Sequence, residues 1–126
     1  MLETGLRGRQ TETVTTDKTA ASVGSGSLQV YATPAMIALM EKTAMLSVAK
    51  ELSEGQTTVG TKLEIEHISA TGLGKEIACE SELVEIDRRR LVFEVTASDP
   101  SGVIGKGRHE RFIVDCEKFM DKVNAK

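Results

Sequence analysis

The segment Ala32–Leu52, ATPAMIALMEKTAMLSVAKEL, constrains the fold more than any other, because it reads as one long helix with no wet face over its first half. Thr33 is a good N-cap type, and Pro34 suits the first helical position, where a missing N–H leaves no intrahelical bond unmade. Apolar residues then run without a break from Ala35 to Met40, so this end requires cover on every side rather than along one stripe. Glu41 ends the run. Its helical neighbours three and four positions away are Ile37, Ala38, Ala44 and Met45, none of which can pair with a charge. A short carboxylate in such surroundings calls for a partner or a function. Lys42 has a similarly apolar set, but its long stem can carry the ammonium out to water.

Around this helix the chain reads as wrapping. Met1–Gln10 is a polar, glycine-containing arm, and Thr11–Thr16 has the β-branched content of a short strand. Asp17–Leu28 is rich in small residues, and Gly24-Ser25-Gly26-Ser27 marks a flexible connector that can act as a lid. After the helix, Ser53–Gln56 is a stop signal in which Gly55 is free to turn left-handed. In Thr57–Ile68 the residues Val59, Thr61, Leu63, Ile65 and His67 share one face, which puts His67 in phase with the inward side. Lys75–Asp87 turns Ile77, Cys79, Ser81 and Leu83 inward, and Leu91–Ser98 does the same with Leu91, Phe93, Val95 and Ala97. Asp87–Arg90 closes the hairpin between them, Asp99-Pro100-Ser101-Gly102 is a type I turn signal, Val103–Cys116 is a last strand, and Glu117–Val123 a short terminal helix. One helix followed by hairpin-connected strands is an α+β layout with an antiparallel sheet. A twisted sheet covers only part of such a helix, so a second copy of the chain is the natural cover for the rest, and a homodimer or higher homo-oligomer is expected.

At 126 residues the chain is read as one domain, 1–126. A net charge of −3 and an aromatic content of 3% give neither the basic footprint nor the stacking platform of a nucleic-acid binder. Two cysteines make neither a disulfide framework nor a four-ligand metal site, and they read as free thiols of a reducing compartment. The one long apolar stretch is interrupted by Glu41, Lys42 and Lys50, and the N-terminus has no secretory pattern. The expectation is a cytoplasmic protein without membrane contact.

Three blocks, VYATPAMIALME (Val30–Glu41), VGTKLEIEHISAT (Val59–Thr71) and IGKGRHERFIV (Ile104–Val114), give the chain a close resemblance to the hot-dog-fold acyl-CoA thioesterases, most of all to the fluoroacetyl-CoA thioesterase type. In that family the first block carries a threonine and a glutamate, matching Thr33 and Glu41, and the second a histidine and a glycine, matching His67 and Gly60. The resemblance implies hydrolysis of a small or short-chain acyl-CoA, with Thr33, Glu41 and His67 as the catalytic set and neither metal nor organic cofactor. The sequence departs from the pattern in two places. The stretch ahead of the threonine, Val23–Val30, is short and has no phenylalanine to lie over a small acyl group, and Pro34 stands where the family has glycine.

Thioester hydrolysis needs a nucleophile or activated water, an oxyanion site and a means of releasing thiolate. Glu41 fits as base or nucleophile, Thr33 as attacking hydroxyl or positioning group, and His67 as orienter or proton shuttle. Backbone N–H groups at the helix start or at Gly60 are candidates for the oxyanion site. Thr33 and Glu41 stand about 12 Å apart along the helix, so either the substrate spans the gap or residues from two subunits meet, which favours a site at a dimer interface. Arg88, Arg89 and Arg90 at a hairpin tip are candidates for the phosphates of coenzyme A. His109, Glu110 and Arg111 read as a structural ion-pair network. The competing function is a non-hydrolytic acyl-CoA binding or sensing protein on the same fold.

Overall fold

In the computed structural model, which describes residues 1–126, five antiparallel strands run in the spatial order β1-β3-β4-β5-β2. They are β1 (Arg7–Thr13), β2 (Gln56–His67), β3 (Glu76–Asp87), β4 (Arg90–Asp99) and β5 (Gly102–Asp115). A single turn of helix, α1 (Ala20–Val23), precedes the long helix α2 (Thr33–Val48), and α3 (Cys116–Asn124) closes the chain. α2 lies across the sheet, burying Met36, Leu39, Met40, Ala44 and Val48 against Ile77, Cys79, Leu83, Leu91, Phe93, Val95, Ala97 and Ile104. The alternation expected for β3 and β4 is therefore the core of the molecule. Contact is close enough at the helix start that a Cβ on Gly105 would stand 2.5 Å from the Met36 sulfur.

Four expectations are corrected. The N-terminal arm is not loose beyond its first turns: Arg7–Gln10 belong to β1, which pairs with β3 from Arg7↔Glu82 to Thr13↔Glu76 and ends before Thr15. This is an edge strand whose half-buried positions are Gly8, Gln10 and Glu12, so it lacks the apolar alternation that would have marked it. Within the expected connector, Thr19 caps α1 by accepting from the Ser22 N–H, and Gly24 ends it in a left-handed conformation at φ 87°. Thr33 is the first residue of α2 rather than its cap; the cap position belongs to Ala32, whose N–H is held by the Lys18 carbonyl at 2.9 Å. Finally, β2 slips by one residue between Gly60 and Lys62. Val59 and Thr61 consequently leave the inward set, and the face turned to α2 reads Thr58, Gly60, Leu63, Ile65 and His67.

One side of α2 is not covered within the chain. Thr33, Pro34, Ala38 and Lys42 are exposed, and Ile37, Glu41 and Met45 only half-buried. Beside it β2 forms a sheet edge, with no strand on its outer flank. No helix is long and apolar enough to cross a membrane.

The β3–β4 hairpin turns through Arg88 and Arg89, and Arg88 sits at φ 59°, the left-handed region that favours glycine. Holding an arginine there costs about 1 kcal/mol. Arg88→Gly should thus raise the urea midpoint of unfolding slightly at unchanged m-value, whereas a fall would mean that the Arg88 side chain stabilises the hairpin by more than its backbone costs.

Candidate active site

Thr33 and His67 meet at one end of the sheet. β2 ends at His67, α2 begins at Thr33, and the Thr33 Oγ1 stands 2.7 Å from His67 Nδ1. As the helix has no side-chain cap, the hydroxyl best placed near its start is committed to the imidazole instead. Burial pulls the His67 pKa below its ordinary value, partly opposed by the Ser69 backbone. The ring is then neutral at pH 7, and Nδ1 and the hydroxyl share one hydrogen bond whose donor depends on the tautomer. The other ring nitrogen, Nε2, is buried and has no partner within the chain. The pair opens into a cavity of about 310 Å³ lined by Ala20, Val30, Tyr31, Ile68 and Ser25, the last from the Gly24–Ser27 loop. The connector therefore does overhang the pocket, and it does so without an aromatic side chain.

Glu41 lies two helical turns away, at a second cluster that the sequence reading did not assemble. Its carboxylate rests directly on Gly60, where an added Cβ would stand 2.7 Å from Oε2, and the Arg111 guanidinium lies 3.9 Å from the same oxygen. Arg111 is 5% exposed. It donates from Nε to Thr58 Oγ1 at 2.7 Å, from Nη2 to the Thr58 carbonyl at 2.9 Å and from Nη1 to His109 Nε2 at 3.1 Å. His109 is fully buried, with Nδ1 2.8 Å from the Lys62 carbonyl. A carbonyl only accepts and a guanidinium only donates, so His109 carries its proton on Nδ1 and is neutral. Burial is the main cause that lowers its pKa, aided by the Arg111 charge and opposed by the Lys62 carbonyl. Burial likewise pulls the Arg111 pKa down while Glu41 pushes it back. The cluster is a fixed cation facing a carboxylate that is 40% exposed on the uncovered side of α2.

The arginines of the β3–β4 hairpin stand apart from Thr33. Arg90 is taken by Glu110 at 2.9 Å and Glu85 at 2.8 Å, Arg89 by Asp115 at 3.6 Å, and Arg88 by Asp87 at 3.2 Å. They line, with Phe112, a cavity of about 560 Å³ at the Gly60 end of the sheet. No three His, Cys, Asp or Glu side chains are grouped so as to hold a metal ion.

The missed residue, Arg111, was visible only as part of a charged triplet. Its alternation with His109 was correct, but the face they share with Gly60 depended on the slip in β2, which leaves no mark in the amino-acid pattern.

Residues 14–117 match the family described as fluoroacetyl-CoA-specific thioesterase. The chain is 37% identical over 98 residues, 78% of its own length and 70% of the relative's, to the fluoroacetyl-CoA thioesterase of Streptantibioticus cattleyicolor. Its fold superimposes on the solved structure of the fluoroacetyl-CoA thioesterase FlK with a TM-score of 0.93 at 31% identity, over 100% of this chain and 98% of that one. A hot-dog-like protein of Thermanaerovibrio acidaminovorans shares the fold at 22% identity and a TM-score of 0.88, over 97% and 90% of the two chains.

The depressed pKa of His109 sets a pH dependence. Its contribution to stability is present in full above the unfolded value near 6.5 and is lost as pH falls through the lower folded value. The free energy of unfolding should accordingly drop from neutral pH to about pH 5, and His109→Gln, which keeps one donor and one acceptor, should flatten that drop. Equal slopes for the two proteins in urea titrations would assign the acid sensitivity elsewhere.

Proposed function

The chain belongs to the family of fluoroacetyl-CoA-specific thioesterases and is an acyl-CoA thioesterase, and we propose that it acts broadly on short acyl chains through Thr33 and His67 at a site completed by a second subunit. The observation that carries this reading is the 2.7 Å bond between Thr33 Oγ1 and His67 Nδ1, which opens into a cavity. In it, Nδ1 takes the hydroxyl proton as Thr33 attacks the thioester carbon, and returns it to the departing sulfur. Water then cleaves the acyl-threonine by the same route in reverse. Backbone N–H groups at the start of α2, or at Gly60, face the developing oxyanion.

Glu41 cannot take part in its own chain's pair from about 12 Å along the helix. On this reading two copies join along the edge of β2 and the open side of α2, so that Glu41, Gly60 and Arg111 of one subunit stand opposite Thr33 and His67 of the other. Glu41 then holds the attacking water while His67 takes its proton, and the hairpin carrying Arg88, Arg89 and Arg90, at the same end as Glu41, approaches the coenzyme A phosphates. The protein works in the cytoplasm, in keeping with two free thiols, Cys79 and Cys116. The non-hydrolytic reading is not favoured.

Thr33→Ala and Glu41→Gln should each lose about a hundredfold or more in kcat while staying folded. Mixed under conditions that exchange subunits, the two inactive proteins should recover about a quarter of wild-type turnover, because half of the dimers carry one intact site. Activity of either variant alone would remove that residue from the chemistry, and no recovery on mixing would place both residues in one chain.

The loop over the pocket sets specificity. Leu28 and Val23 are exposed and the loop brings no aromatic ring to the acyl group, so discrimination rests on ordinary apolar contacts. Such contacts separate substrates by roughly tenfold to a few hundredfold. The kcat/KM ratio for fluoroacetyl-CoA over acetyl-CoA should stay within that range, and a ratio of several thousand would show that selectivity resides below the lid.

A further inference from the structure

Tyr31 is fully buried at the pocket wall, two residues before Thr33, and its hydroxyl donates to Glu12 Oε2 on β1 at 2.5 Å. The other oxygen of the same carboxylate, Oε1, lies 3.4 Å from Lys18 Nζ. Lys18 in turn holds the Ala32 N–H with its main-chain carbonyl at 2.9 Å. The contacts close a ring: Glu12 to Tyr31, along the chain to Ala32, across to Lys18, and back to Glu12. Thr33 is the next residue out of that ring.

The core does not call for this arrangement. Tyr31 already packs in the apolar cluster through its ring, and phenylalanine would fill the same space. A hydroxyl buried at the pocket wall and a half-buried carboxylate of the edge strand turned to meet it cost desolvation that a phenyl ring avoids, so their presence points to something other than stability. The remaining ties of this segment are between backbone groups, Tyr31 N–H to the Thr71 carbonyl at 2.8 Å and Ala20 N–H to the Val30 carbonyl at 2.8 Å, which fix its path. Glu12 adds a side-chain tie from the sheet on both flanks of the residue that leads into Thr33.

We infer that Tyr31 and Glu12, with Lys18, are positioning residues for the Thr33 hydroxyl, holding the start of α2 at the distance from His67 that the reaction needs. This rests on the reading of Thr33 as nucleophile. A misplacement of a fraction of an ångström at the reacting oxygen lowers the rate of attack while leaving the coenzyme's binding contacts untouched, so the effect falls on kcat.

The test is steady-state free-thiol release from acetyl-CoA by Tyr31→Phe, Glu12→Leu and the double variant, with Thr33→Ala alongside and thermal midpoints measured for all. Each single variant should lose about tenfold in kcat with KM within about twofold, and the double should be no worse than either single, since all three break one ring. Tyr31 is the only tyrosine in a chain without tryptophan, so its near-UV signal reports directly that the segment stays folded in Glu12→Leu. Unchanged kcat in either folded single variant, or losses that multiply in the double, would overturn the positioning role. If Thr33→Ala keeps wild-type turnover, the nucleophile assignment itself falls and this inference with it. If Thr33→Ala is inactive while Tyr31→Phe is unaffected, the assignment stands and only the positioning role is lost.

Discussion

A guanidinium buried between a helix and a sheet has to find an acceptor for every N–H or stay in water, and the placement of Arg111 organises much of this molecule. Thr58 takes two of its donors and His109 a third, which requires His109 to present a bare Nε2 and hence to give its proton to the Lys62 carbonyl. Lys62 and Thr58 lie on either side of the slip in β2. The irregularity in the strand thus lies between the two groups that hold the buried pair, and a Cβ on Gly60 would stand 2.7 Å from the Glu41 carboxylate, so any side chain there displaces Glu41.

The two polar clusters under α2 differ in kind. Thr33 and His67 are neutral, lie at the mouth of a cavity and leave one ring nitrogen unpaired, which is the condition of a group that still has a proton to move. Arg111 and Glu41 are charged, and the cation is locked while the carboxylate retains freedom. On the proposed reading, a proton shuttle and a fixed field are complementary parts of acyl transfer, and their separation along one helix is the gap that the substrate or a second subunit would bridge.

Legibility in the sequence followed burial. β3 and β4, buried on the side that faces α2, showed their alternation plainly, and the helix announced itself by Pro34 and the apolar run from Ala35 to Met40. Thr33, Glu41 and His67 were singled out by a resemblance and not by periodicity, and the structure joins Thr33 to His67 while Glu41 lies at the other cluster. What escaped lies where local pattern and tertiary contact disagree. β1 is polar because it is an edge, and its Glu12 is spoken for by Tyr31 from nineteen residues away. The phase change at Gly60–Lys62 is invisible to any count of alternating residues, since it comes from an extra residue in the ladder rather than from its composition.

The hydroxyl of Thr33, on the first residue of α2, is turned to the imidazole and caps nothing. Its hydrogen bond within the chain goes to the imidazole and not to the helix, so exchange for alanine leaves the capping of α2 as it is. If Thr33 is the nucleophile, as proposed above, a descendant that binds acyl-CoA without cleaving it is one substitution away.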